Sequence, residues 1–195
     1  VACMAAAMVA MATPPARAYN LFGPYPWGTE GEICYSKWGD FNHAGAHGGT
    51  ITWSIMPDGT TIDPSFTDPN ITGSSSLVSI MNGLGYSQAL AAIERALDQW
   101  SAAANIYFAQ VPDSGAPFNS AAAATPNTGT IRLGAFPIAN FGGGAYGYAP
   151  HPNGFTSLEG DILLNANSTF FFDDGAEGEL IDVYNDFSGV GGGVY

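Results

Sequence analysis

The stretch SQALAAIERALDQWSAAANIYFAQV, residues 87–111, decides the fold, because a helical pattern passes directly into a strand-like one. Four apolar residues recur at helical spacing and therefore share one face: Leu90, Ile93, Leu97 and Trp100. This spacing predicts a helix over residues 87–104 that packs its apolar stripe on a core. Ser87 stands where an N-cap is expected, since its hydroxyl can accept a hydrogen bond from an otherwise unpaired amide.

Three strand candidates surround the predicted helix. TITWSIMPDG lies upstream at residues 50–59, IYFAQV follows at 106–111, and GTIRLGAF comes next at 129–136. Polar stretches that contain proline, at residues 60–76 and 119–127, predict loops. The resulting order of elements is strand, helix, strand, strand.

This order, together with the sequence segments Ala-Leu…Trp-Ser and Asn-Ile-Tyr-Phe, resembles the front half of the matrixin-like zinc metallopeptidases, which are metzincins. The resemblance covers most of the chain from Ile51 onward. It implies an α+β fold, with a twisted, mostly parallel sheet, an antiparallel edge strand and one long helix on one face. The elements that it implies, in chain order, are a strand at 51–56, the helix at 87–104, strands at 106–111 and 130–136, the edge strand at 144–150 and a strand at 160–166.

The catalytic signature of that family is not found in this sequence. The signature is His-Glu-x-x-His-x-x-Gly-x-x-His, whereas the chain has no His-Glu dipeptide and its last histidine is His151. The resemblance implies that the zinc ligands lie beyond Tyr195, so the chain would hold no catalytic residue and no metal ligand of its own. The complete protein would be a zinc endopeptidase, in which zinc activates a water molecule and a glutamate acts as general base. The fragment alone would be inactive.

The resemblance also assigns a substrate-binding segment. In metzincins an extended peptide adds to the antiparallel edge strand through main-chain hydrogen bonds, which an exposed strand edge can supply. The positions that would bind a polypeptide substrate here are Gly144, Ala145, Tyr146, Gly147 and Tyr148. Strand alternation places the two tyrosines on one face, where they would either shape a side-chain pocket or simply pack the sheet.

Metal ligands within the chain are few. His43 and His47 have the spacing of a zinc-binding pair on a helix. The glycines of HAGAHGG disfavour a helix, so the two are interpreted as loop histidines. No histidine falls in the two strands where the animal matrixins hold a structural zinc. Calcium remains possible, because Asp161 stands where the family often places a calcium-associated aspartate. The alternative is an ordinary polar residue at the start of a strand.

The first eighteen residues have the features of a secretory signal peptide that has lost its basic start. An uncharged apolar run, VACMAAAMVAMA, is followed by two prolines and by Ala16-Arg17-Ala18, which fits a cleavage site. We therefore predict a partial signal peptide at 1–18, an irregular N-terminal extension at 19–49 and an incomplete catalytic domain at 50–195. The predicted location is extracellular, and the apolar run is too short to span a membrane.

Charge narrows the range of partners. The formal net charge is −13, and all 17 acidic residues lie after Ala18, against Lys37, Arg95 and Arg132 as the basic residues there. A chain this acidic repels phosphate backbones, so we predict that it does not bind nucleic acid. Cys34 is left without a partner in the predicted mature part and is interpreted as a single buried thiol.

Two other functions remain open from the sequence. One is a secreted, non-catalytic, β-rich binding or surface protein. The other is a glycan hydrolase that uses paired carboxylates such as Glu159 and Asp161, which would share a face of a strand. The reading frame beyond Tyr195 distinguishes these from a peptidase.

Overall fold

The structure, a computed structural model, describes residues 22–26, 33–36, 38, 49–104, 106–123, 128–140, 144–150, 157–158 and 160–170. The predicted signal peptide, the three histidines, Glu159 and the acidic residues of 173–186 lie outside these ranges. Near the N-terminus, β1 (Phe22–Pro26) and β2 (Ile33–Ser36) form a two-stranded antiparallel sheet. The prediction of an irregular 19–49 segment was therefore wrong for these residues. Pro24 and Pro26 suggested a loop, but both strands of a two-stranded sheet are edge strands, which tolerate proline, and the register of β1 shifts between Phe22 and Tyr25.

The main sheet has five strands in the spatial order β4-β3-β5-β7-β6. Its strands are β3 (Gly49–Ile55), β4 (Ile106–Gln110), β5 (Ile131–Phe136), β6 (Ala145–Gly147) and β7 (Ile162–Asn165). The β3–β4, β3–β5 and β5–β7 pairs are parallel, and β6 pairs with β7 in the antiparallel sense. The α+β class, with a mostly parallel sheet and an antiparallel edge strand, is thus confirmed.

Two helices connect β3 to β4, as a parallel crossover requires. They are α1 (Leu77–Leu84) and α2 (Tyr86–Ala104), and a single-turn 3₁₀ helix follows at Ala121–Ala123. The sequence predicted only α2. The first turn of α1 is capped from a distance, because the Asp58 carboxylate accepts the N–H groups of Val78 and Ser79 at 2.9 Å each. A cap supplied from some 20 residues upstream gives no local signal.

The predicted start of α2 needs a correction. The helix begins at Tyr86, and the carbonyl of Gly85 accepts the N–H groups of Gln88 and Ala89 at 3.0 Å. Gly85 has φ +92°, a conformation that glycine adopts without steric strain. It caps the C-terminus of α1 and directly precedes the first residue of α2. Ser87 lies inside the first turn, so the prediction that it is the N-cap was wrong.

The sheet buries a core on each face. On the helix face, Ile51, Trp53, Ile131 and Leu133 pack with Leu77, Met81 and Ala89 from the two helices. On the other face the buried residues are Met56, Ile71, Phe118, Phe136, Ile138 and Leu163. Residues 60–76, predicted as a loop, help to cover the second core, because Ile71 is buried there and Ile62 and Phe66 pack against it. Burial on both faces explains why β5 is buried along its whole length.

The apolar stripe of α2 is only partly buried. Leu90, Ile93 and Leu97 pack against the helix-face core, as predicted. Trp100 is 58% exposed and is not among the residues that pack there. Helical spacing puts it on the same face as Leu97, so a place on the apolar face does not by itself bury a residue. The prediction that Trp100 packs on the core was wrong.

Candidate peptide-binding edge and buried polar cluster

Strand β6 is the edge strand at one side of the main sheet. Its register with β7 pairs Ala145 with Leu164, Tyr146 with Leu163 and Gly147 with Ile162. The hydrogen bonds at its two ends point inward, towards β7. Asn165 donates its N–H to the Gly144 carbonyl at 2.7 Å, and Tyr148 donates its N–H to the Asp161 carbonyl at 3.0 Å.

The antiparallel ladder determines which backbone groups of β6 point outward. Residues of an edge strand alternate between bonding to their neighbour and pointing away from it. Since Gly144 and Tyr148 bond to the β7 side, Ala145 and Gly147 direct their N–H and C=O groups away from β7. Both residues are exposed. These outward groups are the ones that an added extended strand would pair with.

The five candidate substrate-binding residues divide into two sets. Gly144, Ala145 and Gly147 are exposed, whereas Tyr146 and Tyr148 are half-buried and pack against the second core. The Tyr148 ring lies 6.0 Å from that of Phe118, centroid to centroid. Burial, with the negative charge of Asp68 nearby, raises the pKa of Tyr148 to about 12, so its hydroxyl stays protonated. Both tyrosines therefore pack against the sheet, and a side-chain pocket formed by them stays a prediction.

A buried ion pair lies on the sheet face opposite the helices. The Arg132 guanidinium donates to both oxygens of the Asp113 carboxylate, from Nη2 to Oδ1 at 2.7 Å and from Nε to Oδ2 at 2.9 Å. The two side chains are 1% and 2% exposed. The carboxylate also accepts the Ser54 hydroxyl at 2.7 Å and the Gly115 N–H at 2.8 Å. Burial raises the pKa of Asp113, but these hydrogen bonds outweigh it and hold the pKa below its usual value.

Backbone packing is tight beside this pair. The Gly129 N–H donates to the Ser54 hydroxyl at 3.1 Å. A Cβ at position 129 would lie 2.4 Å from the Ser54 nitrogen, closer than any side-chain carbon can come. Only glycine therefore allows the chain to enter β5 at this point.

Asp161 is fully buried beside the same cluster. Its Oδ1 accepts the Arg132 backbone N–H at 2.7 Å, while its Oδ2 has no hydrogen-bond partner. Burial raises the pKa of Asp161 to about 8, because the charged carboxylate is removed from water. The Arg132 N–H and the Arg132 charge lower the pKa by less than burial raises it, and the negative charge of Asp113 adds to the rise. The Gly160 N–H donates to the Tyr148 carbonyl at 2.8 Å. Together with the Tyr148–Asp161 bond, this ties the end of β6 to the cluster.

The polar cluster was missed in the sequence, apart from Asp161. Its one signal is Arg132, a lone charge in the apolar strand GTIRLGAF, since a buried arginine requires a carboxylate partner. Nothing local identifies that partner, because Asp113 lies 19 residues away in a loop.

The described residues do not provide a metal-binding set. No group of three or more His, Cys, Asp or Glu side chains comes together within the described ranges. Asp161 offers one carboxylate oxygen without a partner, and calcium there stays a prediction. A glycan hydrolase would need both carboxylates of the proposed Glu159–Asp161 pair to reach the substrate. Asp161 is fully buried, so the structure does not support that pair.

Comparisons with protein-family models, with curated proteins and with solved structures give no match to this chain. Within the described part, neither helix is both long and apolar enough to cross a membrane.

Proposed function

We propose that this chain is the peptide-binding front half of a secreted, metzincin-like zinc endopeptidase. The observation that carries the proposal is edge strand β6, antiparallel at the margin of an otherwise parallel sheet, with the backbone groups of Ala145 and Gly147 pointing outward. An extended polypeptide would add to β6 as a further strand.

The order of elements supports this proposal. An observed strand overlaps each of the strands that the resemblance implied at 51–56, 106–111, 130–136, 144–150 and 160–166, and α2 lies where the long helix was expected. The residue pattern alone predicted the helix and the first three of these strands. The resemblance added the last two strands and the antiparallel direction of the edge strand, and that addition supports the proposal.

The proposed catalytic chemistry depends on groups that the described residues do not supply. Zinc in a peptidase polarises the scissile carbonyl and lowers the pKa of its bound water. In this proposal its histidine ligands belong to sequence after Tyr195. The role of the present residues is to bind and orient the substrate, so that its scissile bond is held against a rigid sheet edge.

Strand addition at β6 predicts an effect of removing one outward N–H. Gly147→Pro should weaken binding of fluorescein-labelled casein by about 2- to 10-fold, the worth of one backbone hydrogen bond. Proline is tolerated in an edge strand where its nitrogen faces solvent, so the fold should survive. Fluorescence anisotropy measures the affinity.

Gly147→Ala is the matched control. It keeps the N–H, and a Cβ at this position meets no atom within 4 Å. Equal binding by Gly147→Pro and Gly147→Ala would rule out main-chain pairing at this strand.

A non-catalytic binding protein is the second candidate. The same open edge favours it, since strand addition needs no zinc. It differs from the peptidase in one respect, which is that bound polypeptide would remain intact.

A further inference from the structure

A groove lies between α2 and the opposite edge of the sheet, away from β6. It has a volume of ≈ 220 Å³ and is lined by Trp53, Glu94, Leu97, Asp98, Phe108 and Gln110. Of its apolar lining residues, Leu97 and Phe108 are half-buried and pack against the helix-face core, whereas Trp53 is only 3% exposed. Glu94 and Asp98 are exposed and form the acidic rim. The groove is smaller than the roughly 300–1,000 Å³ of a small-molecule pocket, so it suits a single side chain.

The two acidic residues are arranged unfavourably for the helix itself. Glu94 and Asp98 are four positions apart on α2, so their side chains are neighbours and like charges there destabilise a helix. Neither forms an ion pair with any residue in the part of the chain that the structure describes, and nor does Arg95 between them. A bound cation would relieve this repulsion.

We propose that this groove binds an arginine side chain presented by a protein partner. A guanidinium is flat enough to lie on the half-buried Phe108 ring and can donate to both carboxylates at once, whereas a lysine ammonium is a point charge. The net charge of −13 attracts a basic partner from a distance. Arg132 is buried in its ion pair with Asp113. Among the described residues, Arg95 is therefore the one exposed cation that would repel a basic partner.

The surroundings of the groove suit a protein partner better than a free ion. Strand β4 pairs only with β3 among the described strands, so its outer side is a sheet edge. Trp100, two residues beyond Asp98, is an exposed aromatic residue on the same helix. Tryptophan and arginine are the residue types that contribute most to binding at protein interfaces.

The test uses three blocked pentapeptides, Gly-Gly-Xaa-Gly-Gly, in which Xaa is arginine, lysine or the neutral isostere citrulline. Backbone amide NMR of the whole chain should show saturable shifts at residues 94–98 and 108–110 with the arginine peptide. The lysine peptide should bind more weakly, and the citrulline peptide should produce no such shifts. Glu94→Gln/Asp98→Asn should reduce arginine-peptide affinity by at least about tenfold.

Asp63→Asn/Asp68→Asn is the charge-matched control, because it removes two carboxylate charges beside the second core, on the other face of the sheet. It should leave the affinity within about twofold, since a charge there acts on the groove only through a screened field. The proposal is overturned if no shifts occur at 94–98 and 108–110, if citrulline binds as arginine does, or if both double variants lose affinity equally. A result at this groove is independent of the outcome at β6.

Discussion

Replacement of Asp113 by alanine is expected to lower the free energy of unfolding by about 3–5 kcal/mol, which is the cost of removing one partner of a buried ion pair. The substitution leaves the Arg132 guanidinium charged, buried and deprived of both bonds to the carboxylate. It also removes the acceptor of the Ser54 hydroxyl and of the Gly115 N–H. Urea unfolding followed by circular dichroism measures the change.

Asp63→Ala serves as the control for this variant. Asp63 also accepts a backbone N–H and a hydroxyl, both from Ser65, but those bonds are local and exposed. Its removal should have a much smaller effect. A second comparison is the double variant Asp113→Leu/Arg132→Met, which leaves no charge unpaired and should be more stable than Asp113→Ala. Equal losses in Asp113→Ala and Asp63→Ala would contradict the assignment of a buried pair.

Asp161 is expected to make the chain less stable as the pH rises from about 4 to about 8. Its pKa is raised from 3.8 to about 8 in the folded protein. Below pH 4 the carboxyl is protonated in both states. Between these values the unfolded chain releases the proton while the folded chain keeps it, so the free energy of unfolding falls with rising pH. Above pH 8 both states are ionised and the loss is complete.

Asp161→Asn should remove this dependence, because an amide does not titrate and its oxygen can still accept the Arg132 N–H. Relative to the unsubstituted chain, the variant should gain about 1.4 kcal/mol of unfolding free energy for each pH unit that is crossed within that window. Urea unfolding at several pH values measures the difference in unfolding free energy between the variant and the unsubstituted chain. EDTA in the buffer ensures that no bound cation contributes to it. A difference that does not vary with pH would show that Asp161 has an ordinary pKa.

Much of the fold was predictable because its signals are local. The 3.6-residue period of α2 and the apolar runs of β3, β4 and β5 can be read within a short window. The element α1 could not be predicted so readily, because its cap, Asp58, comes from outside the helix. Trp100 shows what periodicity alone does not predict, since a residue can lie on the apolar face of a helix and still be exposed to solvent.

The candidate site was predictable to a lesser degree. The position of β6 came from the resemblance, and its exposed residues Ala145 and Gly147 lie where that resemblance put them. The buried cluster depends on contacts between Ser54, Asp113 and Arg132, which are 19 to 59 residues apart along the chain where they bond. Such pairings are decided by the strand order of the sheet, and one sequence read by itself does not contain that order.

The most direct test of the peptidase proposal is cleavage of casein by the protein expressed from the reading frame extended past the codon for Tyr195. The account predicts cleavage that a zinc chelator abolishes and added zinc restores, with a His-Glu-x-x-His-x-x-Gly-x-x-His segment in the extension. An extended protein that binds casein at β6 but leaves it intact with zinc present would contradict the peptidase and favour a binding protein built on the same sheet.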